Sequence, residues 1–101
     1  MSIPVFIQGE KRQFYVTFTP DLDPSETLTS VNVTGPSDVV ITNVGITTQS
    51  RTIADITTPA GQGIYFTVDM ASATAGRKAI DILADTSLGQ KVGWRIRVIV
   101  E

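Results

Sequence analysis

Apolar and polar residues alternate in short runs along this chain, with turn-forming residues between the runs. In "QFYVTFT", Phe14, Val16 and Phe18 share one face while Tyr15, Thr17 and Thr19 share the other, the period of a half-buried strand. "PDLDPSE" then stops that strand with two prolines and acidic turn formers. "TLTSVNVT" and "SDVVITNV", separated by Gly35-Pro36, predict two further strands, and the apolar-poor "GITTQSRTIADITT" predicts one or two more. "AGQGIYFTVDM" sets Ile64, Phe66, Val68 and Met70 against Tyr65, Thr67 and Asp69. After the small-residue loop "ASATAGR", "KAIDILAD" turns Ile80 and Ile82 inward with Leu83 out of phase. In the closing strand Val92, Trp94, Ile96, Val98 and Val100 share a face, with Arg95 and Arg97 on the solvent face. No stretch holds an apolar stripe at helical spacing for three turns.

This pattern predicts an all-β chain, a single immunoglobulin-like antiparallel β-sandwich of about seven strands, with Trp94 a candidate for the centre of its core. The length of 101 residues suits one domain with one core, and 42% hydrophobic with 18% charged residues is an ordinary globular composition. The organisation expected is an N-terminal arm or edge strand over 1–10 and a sandwich over 11–101. Ile3, Val5, Phe6 and Ile7 form a short apolar run cut off by "GEKRQ". It reads equally as an edge strand of the same sandwich or as an arm added to a neighbouring subunit, and Pro4 fits either.

Composition narrows the chemistry. The chain has no histidine and no cysteine, which removes the usual general base, thiol nucleophiles, disulfides and most transition-metal ligands, and no cofactor is implied. No Ser-x-x-Lys or nucleophile-elbow pattern is present, so the chain is expected not to be an enzyme and to have no small-molecule substrate. Asp21, Asp23 and Glu26 are spaced to converge on calcium, but the glycine and closing glutamate of a calcium loop are missing, and a solvated turn is the preferred reading. The net charge is −2 with scattered Lys and Arg, and no apolar run is long enough to span a bilayer, so neither nucleic acid nor membrane is expected as a partner. "MSIPVFIQGEKRQ" lacks the pattern of a signal peptide, which predicts a protein made in the cytosol without an address of its own.

In "DTSLGQK", Asp85, Thr86 and Ser87 can bond nearby amides, and Gly89 supplies the positive φ of a tight turn. Leu88 at its tip either folds back on the sandwich, the preferred reading, or faces a partner.

Several of these residues carry a resemblance. The C-terminal third, with Gly61, Gly63, Gly76, the turn Thr86-Ser87-Leu88-Gly89-Gln90 and the strand Arg95 to Val100, resembles small tailed-bacteriophage virion proteins of the fibre-to-tail adaptor type. Leu28 and Ser30 in "ETLTSVNVT" are similar to that family's early strand, whereas "QFYVTFT" replaces its Trp-containing opening strand and "AGQG" its double-glycine lead-in. The resemblance implies a non-enzymatic virion structural protein, made in the host bacterial cytoplasm, that forms a homo-oligomer and docks on tail, neck or fibre-attachment proteins. Ile3, Val5, Phe6, Ile7 and Thr86 to Gln90 are the partner-binding candidates. The alternatives are a capsid decoration protein and a free-standing adhesion or carbohydrate-binding sandwich, for which Tyr15 and Tyr65 would be the platforms.

Overall fold

The computed structural model describes residues 4–101; Ile3 therefore lies outside the described residues. The strands are β1 (Val5–Phe6), β2 (Lys11–Thr17), β3 (Leu28–Thr34), β4 (Val40–Ile46), β5 (Arg51–Ile53), β6 (Ile56–Thr58), β7 (Gly63–Asp69), β8 (Gly76–Thr86) and β9 (Lys91–Val100). A single 3₁₀ turn, Thr19–Asp21, follows β2. One sheet has the order β1-β9-β8-β3, the other β2-β7-β4, and β5-β6 forms a separate hairpin. In chain order β2, β4 and β7 take the places of immunoglobulin strands B, D and E, and β3, β8 and β9 those of C, F and G.

The immunoglobulin-like sandwich thus holds, with two differences from the expectation. The described residues form nine strands, because "GITTQSRTIADITT" contributes a hairpin of its own, and β1 runs parallel to β9 while every other pair is antiparallel. The hairpin turns at Ala54 and Asp55, both with positive φ (51° and 64°), the mirror-image two-residue turn that matches strand twist.

Period two decides the inner faces. Ile64, Phe66, Val68 and Met70 from one sheet meet Ile80, Ile82, Ala84 and Val98 from the other, all buried. Each large side chain removed from water here stabilises the fold by roughly 1.5–3 kcal/mol. Phe6, Phe14 and Phe66 stand in line, with ring centroids 5.7 and 5.6 Å apart, and tie β1, β2 and β7 together.

Thr17 departs from its expected outward position and is buried, because the β5-β6 hairpin folds over that end of β2 and the Thr58 hydroxyl donates to Thr17 Oγ1 at 2.7 Å. Gly63 is needed at the same place. A Cβ there would stand 3.1 to 3.2 Å from Ile53, Thr58 and Thr47 side-chain carbons.

The acidic turn also folds inward. Glu26 is buried, its Oε1 accepts the Asp23 amide at 3.1 Å, and its backbone carbonyl accepts Gln62 Nε2 at 2.8 Å. Gln62 also reaches the Asp23 carbonyl and accepts the Thr19 hydroxyl, so one buried amide anchors the whole segment. Asp21, Asp23 and Glu26 form no cluster, and among the described residues no group of three Asp or Glu is placed to hold a metal ion.

Candidate functional site

The two sides of the sandwich close differently. On one side the chain passes straight from β3 to β4 and joins the sheets. There Asp38 accepts Lys78 Nζ at 2.7 Å and the Thr74 amide and hydroxyl at 3.0 Å each. These donors, Lys78 foremost, hold the Asp38 carboxyl far below the usual carboxylate range.

On the other side, between β2 and β9, β1 alone crosses the gap among the described residues. It covers two positions at the far end of β9, Val5 opposite Ile99 and Phe6 opposite Val100. The Ile99 amide donates to the Pro4 carbonyl and the Glu101 amide to the Phe6 carbonyl, so odd-numbered residues of β9 turn their backbone groups to this side. In an antiparallel ladder the residues between them, such as Trp94 and Ile96, bond to β8. The N–H and C=O groups of Gly93, Arg95 and Arg97 therefore face no strand among the described residues.

A cleft of about 540 Å³ opens beside that edge, lined by Pro4, Phe14, Val16, Ala54, Trp94 and Ile96. Trp94 lies on the face its period predicts, but it corrects the core reading. It is 43% exposed because β9 outruns the cover offered by the opposite sheet, and its ring forms a wall of the cleft instead of the centre of the core. The Phe14 wall is held by its ring neighbours Phe6 and Phe66. Arg12 secures the closed end of the cleft. Its guanidinium pairs with Glu10, donates to the Val5 carbonyl and stands 4.3 Å from the Phe6 ring centroid.

The rim is basic. Arg95 and Arg97 line the cleft from the outer face of β9. Arg95 is clasped by Asp81, Nε to Oδ1 at 2.6 Å and Nη2 to Oδ2 at 3.1 Å, which lowers the Asp81 pKa and raises that of Arg95. Arg97 and Arg77, diagonal neighbours across the β8-β9 ladder, have no carboxylate partner among the described residues.

The predicted partner-binding residues fall into two groups that the structure keeps apart. Val5 and Ile7 lie at the end of β9 and Thr86 to Gln90 at its start, about 30 Å away at strand rise. Phe6 corrects its assignment: it is 0% exposed, a core residue, and unavailable to a partner. Val5 and Ile7 are exposed, Ile7 on the turn where its amide donates to Glu10 and, with Arg12, lowers the Glu10 pKa. In the second group Thr86 is buried and closes the turn through its carbonyl and hydroxyl, which accept the Gly89 and Gln90 amides. The Ser87 amide and hydroxyl clasp Thr27. Leu88 does not fold back, and stands 57% exposed at the tip.

Tyr15 and Tyr65 lie side by side on the outer face of the β2-β7-β4 sheet, centroids 6.1 Å apart. The Arg51 guanidinium already covers the Tyr15 ring at 3.7 Å, so that ring face is taken. Beyond Glu10, Asp38 and Asp81, Asp85 is also lowered, by the Ser30 hydroxyl and then Lys91. Each displaced carboxyl is pushed toward its charged form, opposite to the upward shift that poises a carboxyl as a general acid near neutral pH.

The cleft itself was not anticipated from the sequence. The strand lengths account for it: among the described residues a ten-residue β9 stands beside a two-residue β1, and most of that edge faces no strand. Comparison with protein-family models, with curated proteins and with solved structures finds no match to the chain.

Proposed function

We propose that this protein is a non-enzymatic structural module of a tailed-bacteriophage virion that docks on neighbouring virion proteins through the open side between β2 and β9. The observation that carries the docking part is the β9 edge at Gly93, Arg95 and Arg97, whose outward backbone groups meet no strand among the described residues, beside an apolar cleft. A rigid sandwich edge with unclaimed backbone groups is the geometry by which one chain accepts a strand from another. The virion part rests on the resemblance of Gly61, Gly63, Gly76 and the Thr86–Gln90 turn to fibre-to-tail adaptor proteins.

The test is mass spectrometry of the phage particles from cells that make the protein, with native protein or Gly93→Pro. Proline removes one outward amide; because any Cβ here would stand 3.2 Å from Leu83 Cδ1 and 3.3 Å from the Ile82 carbonyl oxygen, Gly93→Ala is the control that separates crowding from loss of the amide. The expected result is native protein in fixed proportion to other virion components and loss of the variant from particles. Protein found only outside particles would end the virion reading, and equal incorporation of the variant would end docking through β9.

A further inference from the structure

The open side has chemistry that selects its occupant. We infer that the β9 edge receives an extended strand of a different protein in which apolar residues alternate with acidic ones; this rests on the docking proposed above. A strand laid beside β9 follows its pleat. Residues opposite Trp94 and Ile96 turn inward, into the cleft against Phe14 and Val16, and must be apolar. Residues opposite Arg95 and Arg97 turn outward and meet guanidinium groups. Asp81 already holds Arg95, so Arg97, with Arg77 beside it, supplies the unclaimed positive charge. A carboxylate there gains a charge-assisted pair, and an ammonium group is repelled.

The same charges disfavour a second copy of this chain. Two-fold antiparallel pairing of β9 with its counterpart sets residues equally far from the axis opposite one another. With the axis at Arg95, that residue faces its own counterpart. At Ile96, Arg95 faces Arg97; at Trp94, Arg97 faces Lys91; at Gly93, Arg95 faces Lys91. Every register centred on the bare stretch opposes like charges, which destabilises a cross-strand pair.

Trp94, the only tryptophan, lines the cleft and reports its occupation directly. Ten-residue peptides alternating Val with Glu, or Val with Lys, are titrated into the full chain while Trp94 emission is followed. The expected result is a saturable blue shift with the Glu peptide and binding about five- to tenfold weaker for the Lys peptide. Arg97→Glu, at an exposed position, should reverse that order, and the preference should shrink in 1 M salt. Equal binding of both peptides, unchanged by Arg97→Glu, overturns the acidic partner while the docking edge stands. Concentration-dependent dimerisation in light scattering, lost in Gly93→Pro, overturns the foreign partner in favour of a second copy. No Trp94 response to either peptide, in a protein that stays monomeric, overturns both this inference and docking through β9.

Discussion

The two sides of this sandwich are built from the same kind of strand and end in opposite states. At the β3-β4 side, adjacent strands are adjacent in sequence, so the connection itself seals the edge. The Asp38–Lys78–Thr74 contacts then fasten its loop. At the β2-β9 side, the edges come from opposite ends of the chain, and among the described residues only the two of β1 bridge them. Closure follows from chain connectivity and openness from its absence, while the hydrophobic patterning of the strands is alike in both. Apolar residues at the sealed side become core; those at the open side become a wall with nothing opposite.

That contrast predicts unequal costs for equal chemistry. The largest effect is expected for Phe66→Ala, on the central strand β7 in the fully buried core, which should lose about 3–5 kcal/mol in urea unfolding. Trp94→Ala removes a larger ring and should lose roughly 1 kcal/mol or less, since its ring is half in water already. Comparable losses for the two would erase the distinction between the buried core and the cleft wall. Gly63→Ala should cost about 1–3 kcal/mol, because Ile53, Thr58 and Thr47 crowd the added methyl from three directions. Replacing Ala54-Asp55 by Asn-Gly should raise stability by about 1 kcal/mol, as both positions hold positive φ. An unchanged melting temperature would mean the hairpin does not limit stability.

The smallest effect concerns pH. Asp38 has a folded pKa below its unfolded one, so its contribution is complete above the usual carboxylate range and lost as pH falls through the lowered folded value. Urea midpoints measured from pH 6 down to 2 should therefore fall more steeply below about pH 4 for the native protein than for Asp38→Asn. Parallel curves would remove Asp38 from the account of the sealed side.

Which residues share a face was legible in the sequence, because alternation in "GIYFTVD" and "KVGWRIRVIV" reports the pleat directly. The sandwich followed from strand spacing. Period two identifies a face but not whether a sheet lies over it: it puts Trp94 on the inner face, where the ring nonetheless stays exposed at the cleft. Phe6 and Glu26 were missed for a related reason. The first is buried by a parallel pairing with the far end of the chain, the second is buried in a turn anchored by Gln62, 36 residues on. The sequence favours Leu88 folding back, yet its turn is fixed by Thr86 and Ser87 and leaves the tip in solvent. The site, a gap between edges distant in sequence, has no local pattern to announce it.

The most direct measurement is residue-resolved amide hydrogen exchange along β9. The account predicts alternation: Gly93, Arg95 and Arg97 exchange freely, whereas Trp94, Ile96 and Val98, bonded to β8, and Ile99, bonded to Pro4, are protected. Protection of Gly93, Arg95 and Arg97 equal to that of Trp94 and Ile96 in the isolated protein would show the edge already covered and contradict the open side.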